Sequence, residues 1–162
     1  MAIELKSTKG LHANGVKLLV YGAAGSGKTS LIPTMPNPVV LSAEGGLLSI
    51  AGQETPYVEI SSIDDLYEAY AWLNESDEGK AFESVALDSI SEIAEVCLSN
   101  EKKAAKDPRQ AYGEMQTKMA DIIRAFRDIS GRNVFMTAKL EKQTDEMGRV
   151  LYAPSMPGNK TG

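Results

Sequence analysis

Gly22-Ala23-Ala24-Gly25-Ser26-Gly27-Lys28-Thr29, preceded by Lys17-Leu18-Leu19-Val20-Tyr21, decides the fold. The five residues before the first glycine form a short β-favouring run, which predicts a strand buried on both faces. The eight that follow match G-x-x-x-x-G-K-[ST], a loop that wraps phosphate between a strand and the start of a helix. Glycine at 22, 25 and 27 lets the backbone curl until successive N–H groups face one anion. A helix opening at Lys28 adds the positive end of its dipole. Lys28 neutralises the β- and γ-phosphates, and the Thr29 hydroxyl suits Mg2+, a small ion that prefers oxygen ligands and retains several waters. Ala23, Ala24, Ser26 and Ser30 complete the expected cradle. Average residue usage produces the pattern by chance in about one chain of this length in two hundred, a plain glycine turn being the alternative.

Outward from that loop, Pro33, Pro36 and Pro38 limit the first helix to about two turns, since each removes a backbone donor and restricts its predecessor. Pro38-Val39-Val40-Leu41 reads as a second buried strand running into Ser42-Ala43-Glu44-Gly45-Gly46, and residues 57–60 as a short third. Ser61 and Ser62 each precede an acidic residue by three positions, Asp64 and Asp65, close to a capping box. A helix follows to about residue 74, with Ile63, Leu66, Tyr67, Tyr70 and Leu73 on one apolar face. Residues 84–88 form a buried strand ending in Asp88, and 89–105 a helix. Pro108 punctuates, and 110–129 is a longer amphipathic helix stopped by Gly131. Residues 133–138 give the next strand. The stretch 140–152 has β-type segments on either side of Asp145-Glu146-Met147-Gly148, which predicts a hairpin, with loop from 153 to 162. Buried strands alternating with helices imply right-handed crossovers, a mainly parallel sheet and helices on both faces: an α/β, three-layer fold.

The whole chain has 162 residues, 24% charged and 43% apolar, a composition and size that suit one domain burying roughly 70% of its unfolded surface. No apolar stretch approaches the ~20 residues that cross a bilayer, and no basic segment leads an apolar one at the N-terminus. A single cysteine, Cys97, makes no internal disulfide, and a single histidine, His12, neither seeds a zinc cluster nor lies near a nucleophile pattern. A cytoplasmic, reducing setting follows as the expectation. With 17 basic against 22 acidic residues, net −5, bulk electrostatic coating of nucleic acid is excluded; DNA binding would rest on a few placed residues and fall steeply with salt.

Two carboxylates complete the chemistry. Asp88, at the C-terminal end of a strand neighbouring the loop, is expected beside the metal, although it also reads as a helix N-cap. Glu44, just past the second strand, is the candidate to orient water on the γ-phosphate, its plain alternative being a solvated loop glutamate. Strand ends at one edge of a parallel sheet share a crevice, so distant residues converge there.

In their order these elements resemble the compact RecA-core ATPases of phages, similar to annealing-type recombination proteins and to the core of bacterial RecA. In that family the loop precedes a strand ending in a small-Ala-Glu sequence, which Leu41-Ser42-Ala43-Glu44-Gly45-Gly46 resembles, and then a strand ending in Asp-Ser, here Asp88-Ser89. A strand whose polar end senses the γ-phosphate comes next, and Phe135-Met136-Thr137-Ala138-Lys139 is similar to it, with Thr137 and Lys139 at the polar positions. The resemblance implies a RecA-like P-loop NTPase fold, ATP and Mg2+ as cofactors, phage recombination, assembly into a homo-oligomer, a host-cytoplasmic location, and single-stranded DNA as a partner of residues 140–162, including Pro157-Gly158-Asn159-Lys160. The family has His or Gln where Lys139 stands, and a lysine there could touch phosphate directly. It also continues beyond the position of Gly162, so residues 1–162 read as a single domain, shortened at its C-terminus or lacking a sheet edge.

Arg124, Arg127 and Arg132 read either as a finger for a neighbouring subunit or as the solvated face and exit of a helix. Lys102, Lys103, Lys106 and Arg109 read as a DNA contact or a solvated linker. Cys97 with Ile93 and Ala94 reads as helix packing. Asp145-x-x-Gly148 matches a GTPase element but follows the wrong strand, without a guanine-reading motif, and is a turn. Two other activities compete. A small-molecule or nucleoside kinase uses the same loop but needs an arginine-rich lid, and 140–162 offers only Arg149. In a non-hydrolysing nucleotide-dependent binding module, Glu44 is merely structural.

Overall fold

The computed structural model describes residues 15–158; His12, Asn159 and Lys160 lie outside the described residues. Strands β1 (Lys17–Gly22), β2 (Pro38–Ser42), β3 (Tyr57–Glu59), β4 (Ser84–Asp88) and β5 (Asn133–Thr144) pair in parallel, in the order β1-β5-β4-β2-β3. β6 (Val150–Pro154) pairs antiparallel with the outer half of β5, Leu140 opposite Pro154 and Thr144 opposite Val150. This is the expected hairpin, with β5 continuing unbroken into it. Its turn is tied by Asp145, whose Oδ1 accepts the N–H groups of Met147 at 2.9 Å and Arg149 at 2.8 Å.

Side chains alternate across the sheet with a period of two. Val39, Leu41, Val85, Leu87, Val134 and Met136 face one way, onto helices α1 (Ile63–Glu75), α3 (Ile90–Ala104) and α4 (Pro108–Arg127). Leu66, Leu73, Ile93, Met115, Met119 and Phe126 are the large, fully buried helix residues there, each worth about 1.5–3 kcal/mol by burial. Val40, Ala86 and Phe135 face the other way and meet Ile32, with Val20, Met35 and Leu47 around them. The sheet is thus flanked on both faces as expected, but the layers are unequal. On the second face the cover comes from two six-residue 3-10 helices, Thr29–Thr34 and Gly45–Ile50.

Three expectations change. Among the described residues β1 is an edge strand, with Leu18, Leu19 and Tyr21 exposed by 48%, 43% and 42% rather than buried on both faces. The helix after the phosphate loop is 3-10, because Pro33 inside it and Pro36 just beyond leave no room for an α-helical ladder. Pro108 starts α4 instead of merely preceding it: it occupies the first turn behind the Asp107 N-cap, where a missing N–H costs nothing. A short helix, α2 (Asp77–Lys80), was not expected; its Gly79 presses against the backbone of Trp72 and Leu73 so closely that a Cβ would lie 2.3 Å from the Trp72 carbonyl oxygen.

The capping box forms on Ser62, not Ser61. Ser62 Oγ accepts the Asp65 N–H at 3.1 Å, and Asp65 Oδ2 accepts the N–H groups of both Ser61 and Ser62 at 2.8 Å. These bonds, the one from Ser61 first, hold the Asp65 carboxyl below its ordinary value. Lys17 fastens β1 from below: its ammonium donates to the carbonyls of Ile129 at 2.6 Å and Arg132 at 2.8 Å, and burial lowers its pKa.

Candidate active site

The parallel register brings the strand ends together. Gly22 stands opposite Lys139, and Ser42 opposite Asp88. By the alternation of side chains, Ser42, Asp88 and Thr137 share the face of Val40, Ala86 and Phe135, the one carrying the 3-10 helix that follows the phosphate loop. Asp88 is only 2% exposed and Thr137 fully buried. Two hydroxyls satisfy the Asp88 carboxylate: Thr29 Oγ1 donates to Oδ2 at 2.9 Å, and Thr137 Oγ1 hydrogen-bonds Oδ1. The N-cap of α3 is Ser89, whose Oγ accepts the Glu92 N–H at 3.4 Å, so Asp88 is spared that task and turns toward the loop.

Within the loop, Gly25 and Gly27 have φ of +74° and +85°, the left-handed region that glycine enters without Cβ strain. Ala23, Ala24, Gly25, Ser26, Gly27 and Ser30 are exposed to an incoming anion. The Lys28 ammonium folds back over the loop and donates to the carbonyls of Gly22 and Ala23, both at 2.9 Å. Since the segment after Lys28 is a short 3-10 helix, the dipole expected behind the phosphate is weaker than that of an α-helix.

Glu44 sits at the N-cap of the 3-10 helix Gly45–Ile50, with the Ser42 hydroxyl donating to its carbonyl at 2.7 Å. It forms part of the wall of a cleft of about 640 Å3 with Leu47, Leu48, Tyr57 and Ile60; no residue of the phosphate loop lines that cleft. Facing Glu44 is Lys139. Its N–H donates to Ser91 Oγ at 2.9 Å, and its carbonyl accepts the Ser155 N–H at 2.7 Å. The Ser91 hydroxyl donates to the Ser155 carbonyl at 2.7 Å. The Lys139 ammonium hydrogen-bonds Glu92 Oε1 and lies 3.7 Å from Glu44 Oε1. The hydrogen bond that Lys139 donates to Glu92 is the foremost cause raising its pKa above the ordinary value; burial opposes it, and the charges of Glu92 and Glu44 add to the rise. Lys139 is therefore engaged by carboxylates, where a direct phosphate contact was one expectation.

Residues 14–160 match the AAA domain family. The chain belongs to the AAA domain family. Among solved structures, the KaiC-like protein PH0186 from the hyperthermophilic archaeon Pyrococcus horikoshii OT3 is similar over 93% of this chain and 83% of that one, at 13% identity and a TM-score of 0.47. No curated protein matches.

The donor set of this AAA domain suits Mg2+. Thr29 and Asp88 offer hard oxygen ligands from two elements, and among the described residues no group of three or more His, Cys, Asp or Glu gathers into a full cage. The arginines weighed as fingers for a neighbouring subunit lie away from this chain's own phosphate loop. Arg124 pairs with Asp121 at 3.1 Å and Arg127 with Asp128 at 2.7 Å, and Arg132 precedes β5 at the sheet edge opposite the loop. Cys97 is fully buried in the helical layer, and burial pushes its thiol pKa up, as packing requires. Lys102, Lys103, Lys106 and Arg109 are exposed around the α3–α4 junction, with Lys102 Nζ 5.1 Å from the Tyr112 ring centroid. Among the described residues no helix is long and apolar enough to cross a membrane. Sequence reasoning missed Ser91, Glu92 and Ser155; the only local signal was a polar first turn in α3, two residues past Asp88.

Proposed function

We propose that this AAA domain is a Mg2+-dependent ATPase of the RecA-core kind, a single domain that couples ATP binding and hydrolysis to single-stranded DNA binding or annealing in phage recombination, and works as a homo-oligomer. The observation that carries hydrolysis is the hydrogen-bonded chain Thr29, Asp88, Thr137 beside the phosphate loop, with Glu44 at the end of the strand next to that of Asp88.

The chemistry follows from those groups. The loop N–H groups take the phosphates, and Lys28 exchanges the Gly22 and Ala23 carbonyls for β- and γ-phosphate oxygens. Thr29 and Asp88 would hold Mg2+, which neutralises charge on the phosphate oxygens when bound. Thr137 hydrogen-bonds Asp88 and fixes its aim; its contact with the γ-phosphate is part of the same proposal. Glu44 accepts a hydrogen bond from water and takes its proton as the water oxygen bonds to the γ-phosphorus and the bond to the β-phosphate oxygen breaks. DNA contact is supported by the exposed basic residues at the α3–α4 junction, adjoining a cleft of about 510 Å3 lined by Lys102, Tyr112, Glu141 and Met156 next to the hairpin.

The test is phosphate release from ATP with Mg2+, with and without single-stranded DNA, at two salt concentrations. Salt-sensitive stimulation by DNA, lost in Lys28→Ala, is the expected result. Glu44→Gln should bind ATP without multiple turnover. Turnover indifferent to DNA removes the DNA role; phosphoryl transfer to a small acceptor in place of water makes the chain a kinase. Light scattering with and without ATP reads the assembly.

A further inference from the structure

We propose that Glu92 is a positioning residue for hydrolysis: it holds the Lys139 ammonium off Glu44, leaving the Glu44 carboxylate free to receive the attacking water. The inference rests on the reading of Glu44 as the group that orients that water.

The backbone of Lys139 has little freedom. Its N–H is bound by Ser91 Oγ and its carbonyl by the Ser155 N–H, while the Ser91 hydroxyl closes the ring onto the Ser155 carbonyl. From this fixed root the ammonium has two carboxylates within reach. With Glu92 it makes a hydrogen bond; from Glu44 it stands at 3.7 Å, attracted but too far for one. An ammonium beside a single carboxylate closes to about 2.7–2.9 Å and occupies the lone pairs it meets. Were Glu92 neutral, that partner would be Glu44, and the lone pairs needed for the proton of water would be used by Lys139.

Glu92 is well placed to win the competition. It lies in the first turn of α3, behind the Ser89 cap, where a carboxylate is favoured by the helix terminus. Its side chain is 28% exposed against 39% for Glu44, so its pairing with Lys139 is the less screened. One ammonium shared by two carboxylates leaves the trio with a net negative charge, and the carboxylate outside hydrogen-bond distance is Glu44.

The experiment compares ATP turnover and ATP affinity in the unmodified chain, Glu92→Gln, Lys139→Gln, the double variant and Glu44→Gln. Glu92→Gln should lower kcat about tenfold with KM for ATP changed by less than about twofold, a split that marks an effect on the chemical step. Removing Lys139 as well should return kcat to the level of Lys139→Gln alone, since nothing then competes for Glu44. ATP binding at unmodified affinity shows that each variant is folded. Full turnover in Glu92→Gln while Glu44→Gln is inactive overturns the inference alone. So does a loss in Glu92→Gln that the second substitution leaves in place. Turnover in Glu44→Gln, or none in the unmodified chain, overturns the reading beneath it and the inference together.

Discussion

Thr137→Val removes one hydroxyl and keeps the volume of the side chain, at a position with no exposure to solvent. What it takes away is one of two hydroxyl partners of Asp88, itself 2% exposed; Thr29 at 2.9 Å remains the other. A hydrogen bond to a buried charge contributes about 1.5–3 kcal/mol, and the loss appears in full when the acceptor is left dry and unpaired. For a domain of this size each kcal/mol moves Tm by about 2–4 °C, so the variant should melt about 3–12 °C lower. Mg2+ with ATP should narrow the deficit, because a cation at Asp88 supplies the charge compensation that the hydroxyl provided. Scanning calorimetry with and without Mg2+ and ATP reads both effects. Thr137→Ser is the control: it keeps the hydroxyl and loses one methyl, a cost of about 0.8 kcal/mol. A Thr137→Val variant that melts within a degree of the unmodified chain, or above Thr137→Ser, would refute the assignment of that hydroxyl to the carboxylate.

Gly79→Ala places a Cβ 2.3 Å from the Trp72 carbonyl oxygen and 2.7 Å from Leu73 Cα, both backbone atoms that yield poorly; the expected loss is about 1–3 kcal/mol, read from the urea midpoint at unchanged slope. Asp65 has a folded pKa below its ordinary 3.8, so its cap stabilises fully above the unfolded value and is lost as pH falls through the lowered one. The stability gap between the unmodified chain and Asp65→Asn should therefore shrink on acidification; a gap that stays constant removes the charge from the account. Leu66→Ala, in a fully buried helix position, should cost about 2–5 kcal/mol, whereas Leu48→Ala, at a residue 86% exposed, should stay within about 0.5 kcal/mol in the same urea titration.

What could be read from the sequence was local. The phosphate loop, the strand ending in Asp88 and the cap of α1 each need only a few adjacent residues, and each falls where expected. The exposure of β1 was hidden because Leu18-Leu19-Val20 looks the same in a central strand and at an edge; strand order, which depends on pairing with a segment more than a hundred residues away, decides between them. Glu92 and Ser155 escaped for the same reason. Their place around Lys139 comes from the register of β5, the start of α3 and the return of β6, and no spacing in the chain encodes it. The 3-10 form of the segment after Lys28 was half legible: the prolines gave its length but not its winding.

The two halves of the site hang on strands of unequal firmness. Asp88 closes β4, which is buried at every residue and paired on both sides, whereas Lys28 and Thr29 follow β1, which among the described residues is paired on one side only. Local opening draws on such peripheral, half-solvated strands first, so amide hydrogens of β1 should exchange well before those of β4. A nucleotide gripping Lys28 on one side and Asp88 on the other would act as a cross-brace. Its binding would slow exchange at residues 18–22 far more than at 85–88, and part of the binding free energy would be spent on stiffening the sheet at its loosest edge.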